Sequence, residues 1–217
     1  MLNSFAFDLV VSFSIILPAI TGLIKLNQVR WNYLPFILLI WIGLFNEVIS
    51  TIFIFSTHSN TINSNIYVLI EYSLLLFQFY KWNGIERKKC CYLILLGIVV
   101  WIIDNVILNS VWTNNSIFRI FYSFAIIFLS INQISKVIIN ERMSLLKNTI
   151  FLICIAFLIY YGCKAFIEIF NAFHLGFSNA FNRNIFMILY FANLFSNVIY
   201  AYAILCIPTK QEFSLLY

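Results

Sequence analysis

Apolar residues in this chain run on continuously for about 20 positions at a time between short polar breaks. The runs lie at about 4–25, 33–56, 66–82, 90–110, 117–138, 148–172 and 183–207. Crossing about 30 Å of hydrocarbon takes roughly 20 mostly apolar residues, and lipid admits only helices or closed barrels. Barrel strands would alternate over about 10 residues, a pattern these runs lack. The predicted fold is therefore an all-α membrane protein, a seven-transmembrane-helix bundle filling residues 1–217 as a single domain. Asn83-Gly84 closes the short third run, Pro35 stands at the start of the second, and Pro208 follows the last, places where proline costs little. Pro18, inside the first run, predicts a bend. The first positive charges, Lys25 and Arg30, come after the first run, so that run reads as a retained helix rather than a secretory signal.

Composition agrees: 63% of residues are hydrophobic and 10% charged, against about 45–50% and about 25% in soluble domains. The five cysteines lack paired spacing, which excludes a disulfide scaffold. Charge then sets orientation. Lys25 and Arg30 fall in the first connection, Lys81, Arg87, Lys88 and Lys89 in the third, Lys136, Arg142 and Lys147 in the fifth, and Lys210 in the tail, ten of the 13 basic residues on one side. The positive-inside rule makes that side cytoplasmic, with the N-terminus outside and the C-terminus inside, in a cytoplasmic (inner) membrane. This bias and the attraction of basic loops to the membrane surface account for the net charge of +5, and no nucleic-acid partner is called for.

The ionisable residues within the runs are the costly ones, at about 2.5–3.5 kcal/mol each on insertion scales. Glu47, Glu71, Asp104, Lys164 and Glu168 all fall in the outer half, and Asp8, Arg119 and Arg183 near outer ends. Helical spacing aligns Gly43, Glu47, Ser50 and Thr51 on the second run and Tyr67, Glu71 and Gln78 on the third. It likewise aligns Tyr161, Lys164, Glu168 and Asn171 on the sixth, and Tyr190, Asn193, Ser196, Asn197 and Tyr200 on the seventh. Stripes of this kind predict a polar pocket open to the outside, lined by Glu47, Glu71, Asp104, Arg119, Lys164 and Glu168 with Tyr67, Tyr161 and Asn193. The competing reading is purely structural: Lys164 and Glu168 at i, i+4 neutralise one another, and the Asn and Tyr stripe packs helices.

Few chemistries survive. His58 and His174 lie outside the runs and form no metal-binding pair, so neither a metal nor another cofactor is predicted. No GxSxG motif occurs, and no catalytic residue is assigned. Carboxylate-only chemistry at Glu71 and Asp104 keeps an intramembrane lipid hydrolase as one alternative. A small-solute transporter is the other, because Asn65-Ile66-Tyr67 and Asn184-Ile185-Phe186 open the third and seventh runs as a faint repeat. The plan differs from microbial rhodopsins in having no lysine on the last helix.

Phe45-Asn46-Glu47 with Ser50, Ile66-Tyr67 followed by Ile70-Glu71, Tyr160-Tyr161-Gly162, and a last run with Asn193, Asn197 and Tyr200 ending near Pro208-Thr209-Lys210 carry a resemblance. In these features the chain resembles a group of small, uncharacterised bacterial seven-helix integral membrane proteins. The resemblance implies that Glu47 and Glu71 are pocket residues and brings no activity; Lys164 and Glu168 depart from the group's small or apolar residues there. The expected function is a sensor or accessory subunit that binds a small ligand or membrane partner from outside. Its output would pass to a signalling partner on the basic inner loops around Arg87-Lys88-Lys89 and Arg142.

Overall fold

A computed structural model describes residues 9–57, 59–140, 144–173 and 179–208. Asp8, His58, Arg142, His174, Thr209 and Lys210 lie outside the described residues, as does the side chain of Arg183. Among the described residues there are seven helices: α1 (Leu9–Lys25), α2 (Leu34–Thr57), α3 (Thr61–Lys81), α4 (Arg87–Ile102), α5 (Ser116–Asn140), α6 (Thr149–Phe173) and α7 (Asn179–Leu205). Each helix packs on the next, α7 returns to α1, and α3 also touches α5. The α5–α6 and α6–α7 seams are the most extensive.

Five of these segments, those containing α2, α4, α5, α6 and α7, are long and apolar enough to cross a membrane. The exterior fits that environment: Phe45 is 67% exposed and Ile107 70%. The chain is thus a multi-pass membrane protein by composition and length. The two remaining helices fall short for different reasons. The described part of α1 is too short. By contrast, α3 has 21 residues, about 31 Å at 1.5 Å per residue, and is diluted by Asn63, Ser64, Asn65, Glu71, Gln78 and Lys81. Three of these polar side chains face protein: Asn65 and Gln78 are fully buried and Glu71 is 7% exposed, beside the buried Tyr72, Leu75, Leu76 and Phe79.

Local chemistry sets the helix ends. Asn83 takes a positive φ of 56°, and the Gly84 N–H bonds the Phe79 carbonyl at 2.8 Å while the Asn83 N–H bonds Tyr80 at 3.0 Å. This is a Schellman termination of α3 with Asn83 as the left-handed residue. The Lys136 ammonium, from the end of α5, donates to the Asn83 and Gly84 carbonyls at 3.1 and 3.2 Å, where the helix dipole favours a cation. Gln78 accepts from the Phe36 N–H in the first turn of α2 and donates to the Asn32 carbonyl, both at 2.7 Å. The Asn148 carboxamide accepts the Phe151 N–H at the start of α6. Near Pro18 the first helix tightens to a 3-10 turn over Phe13–Ile15, where a proline ring removes one N–H donor. Past Ile102, α4 widens into a π-helical segment, Ile103–Leu108.

Candidate functional site

An aromatic chain runs through the middle of the bundle. Tyr72 meets Tyr122, Tyr122 meets Tyr161, Tyr161 meets Phe157, and Phe157 meets Tyr200, with centroids 5.6–6.1 Å apart. Such tilted contacts contribute about 0.5–1.5 kcal/mol per pair beyond burial, and they fix where the tyrosine hydroxyls point. Two of those hydroxyls converge on Glu71 of α3. Tyr122 of α5 donates to Oε2 and Tyr161 of α6 to Oε1, each at 2.9 Å. The Lys164 ammonium of α6 lies 3.4 Å from the same Oε2 and also donates to the Tyr122 hydroxyl. Its charge is further enclosed by the rings of Tyr122, Tyr160 and Tyr161, at 4.9, 5.3 and 5.7 Å from their centroids. One carboxylate thereby ties three helices.

A second cluster stands one turn further along α6. Glu168 accepts from the Ser116 hydroxyl at 2.8 Å and from Asn171 at 3.3 Å, and its Oε1 lies 3.7 Å from the Arg119 guanidinium. Arg119 is fixed in turn by Asn115 at 2.8 Å and by Ser64 of α3 at 2.7 Å. Lys164 and Glu168 therefore do not pair with each other, contrary to the i, i+4 reading; each takes a partner on another helix. Asp104 belongs to neither cluster. Its Oδ2 accepts the Phe118 N–H at 2.8 Å, in the open first turn of α5, and its Oδ1 accepts from Asn109 at 2.8 Å. That geometry is a helix cap supplied from a neighbouring element.

A cavity of about 110 Å³ opens beside Glu71, between α1, α2, α3, α6 and α7. Its walls are Ser12 and Ile15; Phe36, Leu39, Ile40, Gly43 and Glu47; Tyr67 and Glu71; Phe157, Tyr160 and Tyr161; and Asn193, Asn197 and Tyr200. Of the residues expected in a pocket, Glu47, Glu71, Tyr67, Tyr161 and Asn193 share this cavity, whereas Asp104, Arg119, Lys164 and Glu168 do not line it. The lining runs from Glu47 and Tyr67 to Phe36, in the first turn of α2, and Tyr200, toward the C-terminal end of α7. Gly43 keeps the wall open, since a Cβ there would stand 2.7 Å from Ile15 Cδ1 and 3.2 Å from the Tyr67 hydroxyl.

Hydropathy reading missed the polar start of α3. Asn63 bonds Asn46, Ser50 and Asn60, and Asn65 donates to the Val111 and Thr113 carbonyls. The run of Asn and Ser from 60 to 65 was the available signal, because short polar side chains at a helix start satisfy neighbouring backbone. Among the described residues, no group of three His, Cys, Asp or Glu is placed to hold a metal ion. No family model, curated protein or solved structure matches the chain. Fold and site alone define its class: a multi-pass helical bundle with an apolar exterior, two buried ion-pair clusters and a small polar cavity.

Proposed function

We propose that the chain is a seven-span protein of the cytoplasmic membrane, N-terminus outside and C-terminus inside, acting as a sensor or accessory subunit. It admits a small ligand from the outer side into the cavity beside Glu71 and passes the change to a signalling partner on the basic cytoplasmic end. The motif resemblance to small bacterial seven-helix membrane proteins belongs to the same reading. The observation that carries it is the double position of Glu71, which is a wall of the cavity and also the acceptor for Tyr122, Tyr161 and Lys164.

A ligand that bonds Glu71 competes with Tyr161 or Lys164, and so favours a different packing of α6 against α3 and α5. Signalling of this kind requires the ligand to bind one packing more tightly than the other, and a shared carboxylate provides that difference. Arg87, Lys88 and Lys89 begin α4, which packs along α3, so a shift of α3 reaches a charged docking surface without any added domain.

The test uses the purified chain in lipid nanodiscs and in sealed proteoliposomes, screened with small polar solutes by thermal melting. The expected result is a solute that raises the melting temperature, slows amide exchange around residues 84–90, and is not carried across the bilayer. Solute flux at rates matched to binding would make the protein a transporter. Turnover of a lipid that ends in E71Q would make it a carboxylate hydrolase. No response to any solute would overturn the ligand reading.

A further inference from the structure

We infer that the cavity takes a small alkylammonium ion with Glu47 as its counter-ion, an inference that rests on reading this cavity as a ligand site. Partners for the interior charges differ in one respect. Glu71 has Lys164, Glu168 has Arg119, and Asp104 has the first turn of α5 with Asn109. Glu47, half-buried, shares the cavity wall with Ser12, and among the described residues no cation pairs with it. The cavity walls thus carry two carboxylates, with one ammonium, Lys164, bound to the far side of Glu71. An uncompensated carboxylate within a bundle is costly unless something positive joins it or it takes up a proton.

The bundle already houses one alkylammonium next to this cavity. The Lys164 ammonium is held by a carboxylate and by the faces of Tyr122, Tyr160 and Tyr161. Tyr160 and Tyr161 also line the cavity, where Tyr67 joins them beside Glu47. A second carboxylate to take N–H donors, Glu47, therefore shares the wall with Tyr67 and with two of the rings that already hold an ammonium, Tyr160 and Tyr161. Oxygen-bearing side chains share this wall with Phe36 and Phe157, so an inorganic cation is the rival occupant and is tested directly below. Size narrows the class. A 150 Å³ apolar cavity in another protein accommodates benzene, so about 110 Å³ fits about four heavy atoms, from methylammonium to trimethylammonium.

The experiment titrates the full chain in nanodiscs with methylammonium and trimethylammonium chloride at constant ionic strength. Calorimetry and thermal melting are the readouts, and 2-propanol, acetate and sodium serve as the neutral, anionic and inorganic probes. Saturable binding of the ammonium ions is expected, weakened about tenfold or more in E47Q and largely kept in E47D, with circular dichroism showing both variants folded. If 2-propanol or acetate binds as well and E47Q is without effect, the cationic inference falls and the ligand cavity stands. Sodium binding with the same dependence on Glu47 also overturns it, in favour of an inorganic ion. Silence from every probe overturns the inference, and the solute screen then decides the broader reading separately. Should E47Q not fold, competition on the native chain decides: trimethylammonium must displace methylammonium, and 2-propanol must fail to.

Discussion

Lys164 and Glu168 stand four residues apart on α6 and still choose different partners, because each meets a carboxylate or guanidinium already held by hydrogen bonds from elsewhere. Glu71 comes with two tyrosine donors and Arg119 with Asn115 and Ser64. Spacing along one helix is visible in a sequence; which helix faces it is not. Hydropathy and helical phase picked out Glu71 as a buried polar residue, but only the packing of α3 against α5 and α6 reveals its partners. Lys164→Met should therefore lower stability by about 3–5 kcal/mol, the cost of leaving one member of a buried ion pair alone. Adding Glu71→Gln should restore a large part of that loss, a coupling measurable as a double-mutant cycle in detergent melts. Additive effects of the two changes would mean that the 3.4 Å pair makes no stabilising contact.

Among the elements, α3 and α4 show how much a helix depends on its neighbour. A Cβ on Gly97 of α4 would overlap the ring of Tyr72, whose hydroxyl donates to the Leu93 carbonyl at 2.9 Å. Gly97→Ala should cost about 1–3 kcal/mol by overpacking, and Tyr72→Val in that background should recover part of it, as read by thermal melting. The start of α5 makes a matching case. Asp104→Ala removes the acceptor for the Phe118 N–H and should cost about 1–2 kcal/mol, whereas Asp104→Asn should keep most of the cap. Helix bodies were legible because lipid demands long apolar runs, and the Asn83-Gly84 stop was legible because few residues tolerate φ of 56°. The beginning of α3 at Thr61, ahead of the apolar run, was not, since its polar side chains are satisfied by Asn46, Ser50 and the loop after α4. Asp104 looked like a pocket acid for the same reason: a cap borrowed from another element leaves no mark in local sequence.

In the whole molecule, charge is divided between the two ends of the bundle. Lys25, Arg30, Lys81, Arg87, Lys88, Lys89, Lys136 and Lys147 gather at one end, while Arg119, Glu168 and Asp104 lie toward the other. Under the proposed orientation the basic end is cytoplasmic, and α3 crosses the membrane with Asn65, Glu71 and Gln78 against protein and Ile66, Ile70 and Phe77 facing outward. Both points are tested with single cysteines in a Cys91→Ser background, which removes the exposed native thiol. A cysteine at Thr113, in the exposed turn beyond α4, should react with an impermeant maleimide in intact cells. A cysteine at Lys88 should react only after the membrane is opened. Because Lys88 and Thr113 report on the two ends of α4, the paired substitutions Asn60→Cys and Glu86→Cys, in the segments before and after α3, ask the same of α3. Outside labelling at Asn60 with protection at Glu86 makes α3 a span despite its low hydropathy. Labelling of both from one side would leave at most six spans and place Glu71 on a re-entrant element. The reverse pattern at Lys88 and Thr113 would turn the cavity's charged half toward the cytoplasm, so that its ligand would come from inside the cell.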